Sequence, residues 1–418
     1  MRVHVIGAGL AGLSAALELA SKGVAVTVWE GARHAGGRCR SYHDAKLGRV
    51  IDNGNHLVLS GNRSVQRYLK LAGATDALVA ASEAAFPFID LQSGERWTVR
   101  INDGSLPWWP FVSSRRPKGV GIGPFLRSLP LLWAGRHATI ADAVSPSGHA
   151  LTRFWEPMSF AVMNLPPHLA SARLMAATAK EAWRDGRLCR PMFAPNGLGP
   201  ALVDPAVGAL SSKAEIRFGR VLKDMDKARG RIHALRFDKG EPVQLAETDA
   251  VILALPPARL NEIWPEARAP EESSSILNAH FVPEGPVSAP PLLGVVSTRT
   301  QWIFAKPGLL SLTISAAEHV EGTDEAHGPL LEALWAETRA ALGLSATMRY
   351  QAARIVHERR ATFLQTPANA ARRAKSLTSL SNLVLAGDHI DTGLPATIES
   401  AVRSGAMAAS HILDRNRR

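Results

Sequence analysis

Cysteine is nearly absent: the 418 residues hold only Cys39 and Cys189, which excludes a disulfide framework and any four-cysteine zinc site. Long apolar runs are missing as well, and nothing reaches the roughly 18–20 uninterrupted apolar residues of a membrane span. The run Val3 to Ala20 has the apolar character of a signal segment, but spaced glycines and Glu18 interrupt it. No internal repeat and no low-complexity linker occurs. Hydrophobic residues at 46% and charged residues at 20% sit near the globular average, which excludes wholesale disorder. The length suggests two or three domains. Charge is unbalanced: 48 Lys and Arg against 37 Asp and Glu leave a net +11, which attracts a polyanion, whether nucleic acid or anionic lipid. The expectation is a cytoplasmic protein, soluble or peripheral on the inner face of the membrane.

What is present begins at the N-terminus. Arg2 to Ile6 reads as a β-strand and meets Gly7-Ala8-Gly9-Leu10-Ala11-Gly12; apolar residues then recur at helical spacing until Lys22-Gly23. Ala25 to Trp29 reads as a second strand, with Glu30 at its end. Gly7 permits the tight turn, Gly9 lets the backbone approach a pyrophosphate, and Gly12 lets the helix pack on the strand. The helix start, at Leu10 and Ala11, offers unpaired N–H groups and a positive dipole end to phosphates. Glu30 is placed to accept both ribose hydroxyls. A second glycine turn, Gly36-Gly37-Arg38-Cys39-Arg40-Ser41, follows closely. FAD outreaches one βαβ unit, and these extra N–H donors and an arginine suit its pyrophosphate.

The other end repeats the theme. Leu383 to Leu385 reads as a strand that turns through Ala386-Gly387-Asp388, and Asp388 is placed to accept from ribityl hydroxyls. Gly393, Leu394, Pro395 and Ala396 lead into a helix from Thr397 to Met407, Pro395 suiting its first turn. Its positive end is expected to face the flavin pyrimidine and favour the anionic reduced flavin.

The segments GGRCRSY (36–42), LGRVIDNGNHLVLSGN (47–62), TQWIF (300–304), HERRATFLQTP (357–367), NLVLAGD (382–388) and DTGLPATIESAVRSG (391–405) resemble the squalene-associated FAD-dependent desaturase family, within the flavin amine oxidase and phytoene desaturase superfamily. One departure is His389-Ile390, where the family pattern has a tryptophan. The resemblance implies an α/β fold: a Rossmann-like FAD-binding domain of the amine oxidase type, with an α+β substrate domain inserted discontinuously. It also implies that Asn53 and Gly54 line the flavin and that Val221 meets adenine through its backbone. For activity it implies removal of the hydroxyl of hydroxysqualene by hydride from reduced FAD, giving squalene for hopanoid or triterpenoid synthesis. The implied partners are a hydrophobic triterpene, an electron donor for FAD and neighbouring squalene-pathway enzymes. A desaturase of an isoprenoid, an amine oxidase and a flavin-binding scaffold stay open beside it.

The expected organisation is FAD-binding residues 1–75, 206–260 and 361–418, with substrate-domain residues 76–205 and 261–360 between them. Glu215 to Val221, Arg231 to Phe237 and Ala250 to Leu255 read as strands, residues 140–190 as helical, and residues 287–317 as sheet. Residues 104–141 contain no Asp or Glu but carry Arg115, Arg116, Lys118, Arg127 and Arg136 among tryptophans and phenylalanines. Such a mixture suits an interfacial segment on anionic lipid, and equally a core-facing wall with a solvated edge. No nucleic-acid module accompanies it, and no nucleic acid is expected as a partner.

Dehydroxylation needs an acid for the leaving oxygen. Asp52, Asn55 and His56 cluster as candidates, with Asp52 also suited to ordering the loop under the flavin. Two arginines beside Cys39 favour a lowered thiol pKa, yet no histidine stands at a nucleophile's spacing. Glu399 in the first turns of the final helix has a sufficient structural reason. Neither a covalent flavin nor a metal is expected.

Overall fold

The computed structural model describes residues 1–318 and 328–415. Five parallel strands form the first sheet: β1 (Arg2–Ile6), β2 (Ala25–Glu30), β3 (Ala214–Phe218), β4 (Ala250–Leu253) and β5 (Leu383–Leu385). Their spatial order is β3-β2-β1-β4-β5. Parallel strands with both faces covered read as continuous apolar runs, and β4 and β5 are buried at every position. Two helices cover one face, α1 (Leu10–Ala20) and α2 (Ile398–Arg415). They approach closely because Gly405 has no side chain: a Cβ there would lie 2.1 Å from the Ala11 carbonyl oxygen. Ser14 completes the contact by donating to the Val402 carbonyl at 2.8 Å. The N-terminal and C-terminal elements are thus one layer.

The expected strand from Glu215 to Val221 ends three residues early. β3 stops at Phe218, Gly219 turns with φ +65°, and Leu222–Ala228 starts an antiparallel three-stranded sheet with Arg231–Phe237 and Val243–Gln244. Val221 therefore sits in a turn.

The second large sheet has seven strands, in the order Tyr350–Phe363, Ser273–Pro283, Leu309–Ser315, Trp302–Lys306, Leu292–Val296, Ala84–Asp90 and Arg96–Ile101. The strand Tyr350–Phe363 runs past the boundary expected at 360. Side chains alternate across a strand. Leu277, Ala279 and Phe281 join an apolar cluster with Leu334 and Trp335 of the helix Gly328–Leu342. Asn278 and His280 point to the opposite face with Ser311 and Thr313, their register partners. That polar face meets the loop 52–56 of the dinucleotide-binding half. Short helices between 140 and 188 and the segment 109–133 close the remaining side over a third apolar cluster, which includes Trp109, Phe154, Trp155 and Trp302. Among the described residues no helix is long and apolar enough to cross a membrane.

Candidate functional site

The first glycine turn leaves β1 with Gly7 at φ +107°, and the Gly7 N–H donates to the Trp29 carbonyl at 2.7 Å. A Cβ on Gly12 would sit 1.9 Å from the Gly7 carbonyl oxygen, so only glycine lets α1 rest on the turn. Gly9 differs: a Cβ there would meet nothing within 4 Å. Gly9 is also the N-cap of α1 and no side chain caps it, so the first-turn N–H groups around Leu10, Ala11 and Gly12 have no intrahelical partner. Glu30, at the end of β2, accepts from the Ala8 N–H at 2.7 Å and the Ala32 N–H at 2.8 Å, which aims its carboxylate at the mouth of this turn.

Val221 borders the same mouth, its side chain 3.2 Å from where a Cβ on Gly31 would lie. Its main chain is hydrogen-bonded within the protein. The Val221 N–H donates to Asp238 at 2.9 Å and its carbonyl accepts from the Asp238 N–H at 2.9 Å.

The second glycine turn lies directly on the first. Gly36 and Gly9 form a parallel bridge, the Gly36 N–H donates to Ala8 at 2.8 Å, and Gly37 packs against Gly9. From here Arg38 reaches 350 residues along the chain to pair with Asp388 at 2.6 Å, and its other nitrogen donates to the Ala361 carbonyl at 2.6 Å. Burial alone would raise the Asp388 carboxyl, but the Arg38 guanidinium and the adjoining His389 hold it well below the usual carboxylate range. Asp388 in turn raises Arg38. Both ends of the chain meet in this ion pair.

Arg373 fixes the C-terminal turn. It is buried and donates to the carbonyls of Asp388, His389, Ile390 and Leu394; burial lowers its pKa to about 10. Beyond it the helix starts later than expected. α2 begins at Ile398, with Thr397 Oγ1 accepting the Ser400 N–H at 3.2 Å as a cap. Pro395 therefore precedes the helix and does not occupy its first turn. The Ala396 N–H is taken by Gln365 at 2.8 Å, and Gly393 stays exposed with open space beside it.

The loop 52–56 sorts the candidate catalytic residues by what each already holds. Asp52 is buried; its Oδ1 accepts from Ser41 and from the Leu198 N–H at 2.8 Å, and its Oδ2 pairs with Lys306. A carboxylate so occupied orders the loop. Asn53 donates to Glu358 at 3.1 Å. Asn55 donates to Asn278 Oδ1 at 3.3 Å and to Thr313 Oγ1 at 3.1 Å. His56 alone keeps free ring surface, its Nε2 about 3.6 Å from a Cβ on Gly54. Although His56 opens on the cleft, the protein packed around it desolvates the ring, and this, with the Arg38 charge, holds it below the ordinary histidine value.

Other residues lose their claim. Burial, then Asp52, pushes the Cys39 thiol up to about 12, against the lowering expected from its arginine neighbours. Glu399 is buried and accepts from the N–H groups of Ser64 and Val65, both at 3.0 Å, which caps the helix Arg63–Leu71. His389, where a tryptophan was expected, folds back on Gly387. Its Nδ1 lies 3.7 Å from the Asp388 carboxylate, too far for a hydrogen bond but close enough for an ionic contact, while burial outweighs that contact and lowers its pKa. Asn278, Thr313, Lys306, Glu358 and Arg373 escaped the sequence reading, because each reaches the site only through the sheet or across the domain boundary.

An elongated dinucleotide fits this cradle on one structural ground. The space over Gly9 is open while the helix start beside it is uncapped, and the trail of glycines ends at an aspartate held ionised by arginine. On the far side the surroundings turn apolar: Trp302 and Phe304 are register partners of Thr313 and Ser311 and pack with Leu57, Phe363 and Ala396.

Comparison with known proteins agrees with this geometry. The flavin containing amine oxidoreductase family profile matches residues 10–413. A hydroxysqualene dehydroxylase from Rhodopseudomonas palustris is 42% identical, covering 98% of each chain; one from Sinorhizobium fredii is 40% identical, covering 97% of each. The solved cyclohexylamine oxidase from Brevibacterium oxydans superposes with a TM-score of 0.70 at 17% identity, over 100% of this chain and 99% of that one, a likeness of fold.

Proposed function

The chain belongs to the flavin containing amine oxidoreductase family, and on that premise we propose that it is a hydroxysqualene dehydroxylase. It removes the hydroxyl of hydroxysqualene reductively and leaves squalene for hopanoid or other triterpenoid synthesis. FAD is the cofactor of the family, and the reduced flavin supplies the hydride that replaces the hydroxyl. Loss of the hydroxyl breaks the carbon–oxygen bond and needs a proton, so that the oxygen departs as water; bound reduced flavin would supply the hydride that takes its place.

One observation favours a hydrocarbon substrate: beyond Asn55 and His56 lies an apolar cluster that includes Leu57, Trp302, Phe304, Phe363 and Ala396. Such a cluster binds an apolar chain and excludes water. The tryptophan and phenylalanine faces steady positive charge at the carbon. Gly7, Gly9, Gly12 and Glu30 hold the adenosine and pyrophosphate end, and Gly36, Gly37, Arg38 and Asp388 the ribityl end. Asn55, locked by Asn278 and Thr313, orients the leaving oxygen, and His56 donates its proton from the ring. The enzyme works at the inner face of the membrane, where its substrate resides, beside other enzymes of squalene metabolism and an external electron donor.

Anaerobic incubation of the reduced holoenzyme with hydroxysqualene should give squalene by chromatography. An oxidised product with reduction of the flavin would instead indicate a desaturase or amine oxidase. Because His56 is held below the ordinary 6.5, its protonated form is scarce at neutral pH and grows as pH falls through that lowered value. The rate should rise toward acid pH. His56→Gln should lose that rise and about 100-fold in rate; a wild-type profile would remove His56 from the role.

A further inference from the structure

Seven of the thirteen large apolar side chains exposed among the described residues fall between 106 and 133, so exposure of this kind is concentrated in one stretch. Leu106 is 78% exposed, Phe111 64% and Trp133 77%, and Trp108, Leu126 and Leu129 stand out beside them. A soluble surface scatters such residues singly; a cluster marks a docking face. The stretch is not simply loose, because its other side chains are anchored. Trp109 and Leu131 are buried, and Trp109 meets Phe125 edge-to-face at 5.2 Å, which joins the halves 106–112 and 126–133 beneath the surface.

Charge names the occupant. Residues 104–141 carry five Lys and Arg and no acid. The Arg115 guanidinium lies 4.7 Å over the Trp108 ring, which puts a cation and an indole side by side, as an interfacial anchor requires. A cleft of about 530 Å³ opens between Arg127 and Trp133. Asp142 at its margin is occupied in the Thr139 capping box.

Building on the proposed function, we infer that residues 106–133 are the face by which the enzyme docks on an anionic lipid bilayer, with the exposed indoles and phenylalanine in the acyl boundary and the arginines among phosphates. The same apolar cluster that anchors this face from behind, through Trp109, Leu131, Phe154 and Trp155, continues to Trp302 and Ala396 at the site.

The test uses the flavin-loaded protein and no substrate. Vesicles of phosphatidylcholine alone are compared by sedimentation with vesicles one third phosphatidylglycerol. Binding should be at least about tenfold tighter to the anionic vesicles and weaken with salt. The triple change Trp108→Ser, Phe111→Ser, Trp133→Ser should lose about tenfold or more on anionic vesicles while flavin content stays unchanged. Arg115→Glu with Arg127→Glu should abolish the preference for anionic lipid. No sedimentation with either vesicle, equal binding by the triple variant, or tighter binding to a single-stranded oligonucleotide would overturn the inference. Turnover of detergent-dispersed hydroxysqualene, read separately, should be the same for the triple variant and the wild type. Wild type without turnover but with vesicle binding would count against the activity and leave the docking face standing.

Discussion

Gly9→Leu should purify as a folded but colourless protein. The position is extended, with φ −73° and ψ 176°, which any residue adopts, and no atom lies within 4 Å of a Cβ there. The apoprotein therefore has room for a Cβ, and the stability of Gly9→Ala should change by no more than about 0.5 kcal/mol. The cofactor does not have that room, because its diphosphate must approach the main chain where the new side chain would stand. FAD affinity should fall by more than about 100-fold, with Gly9→Ala intermediate. Gly12→Ala makes the contrast. Its Cβ would lie 1.9 Å from the Gly7 carbonyl oxygen, a clash with backbone that costs at least the roughly 1–3 kcal/mol of core overpacking. That variant should show a lowered melting temperature even without FAD. Isothermal titration with FAD, beside thermal melts of the apoproteins, separates the two effects. A yellow Gly9→Leu protein would remove the site.

Asp388→Asn is expected to cut FAD affinity by roughly 10- to 100-fold, the worth of one hydrogen bond to a charged group. The substitution keeps the shape but removes the charge that Arg38 holds at 2.6 Å. Arg38 then loses its orientation toward the junction of the two chain ends, and a ribityl hydroxyl loses its strongest acceptor. The pH response supplies an independent readout. Asp388 is held well below the usual carboxylate range in the folded protein, so its contribution to stability is present above the unfolded value and is lost as pH falls through the folded one. Asp388→Asn should flatten the acid limb of the melting temperature below about pH 4. Unchanged flavin retention and an unchanged acid limb would show that the pair serves neither purpose.

The dinucleotide-binding half was legible in sequence because its signals are local. Gly7, Gly9, Gly12 and Glu30 act through backbone geometry within one βαβ unit, and Leu383 to Leu385 is a short apolar run before a glycine. The seven-stranded sheet was harder. Its strands at 292–296, 302–306 and 309–315 stood out as apolar, but Ser273–Pro283 and Tyr350–Phe363 place Asn278, His280 and Glu358 on an inner face that polarity usually avoids. Their alternation is therefore hidden by the very residues that touch the site. Arg373 was illegible for another reason. It lies in ARRAK (371–375), which looks like a solvated basic loop, and only the fold wraps four carbonyls around it. Gly219 and Pro395 misled by one turn each: the first ends a strand that composition would continue, the second stands ahead of the cap at Thr397.

The joining of Arg38 to Asp388 carries a consequence for how the molecule comes into being. Half of the pocket leaves the ribosome about 350 residues before the other half, a delay of roughly 20 to 70 seconds at ordinary elongation rates. Through that interval the nascent N-terminal glycine turn lacks the helix that shields it and the acid that completes it. Firm capture of the coenzyme therefore waits until Asp388 and α2 have emerged and folded onto the waiting turn.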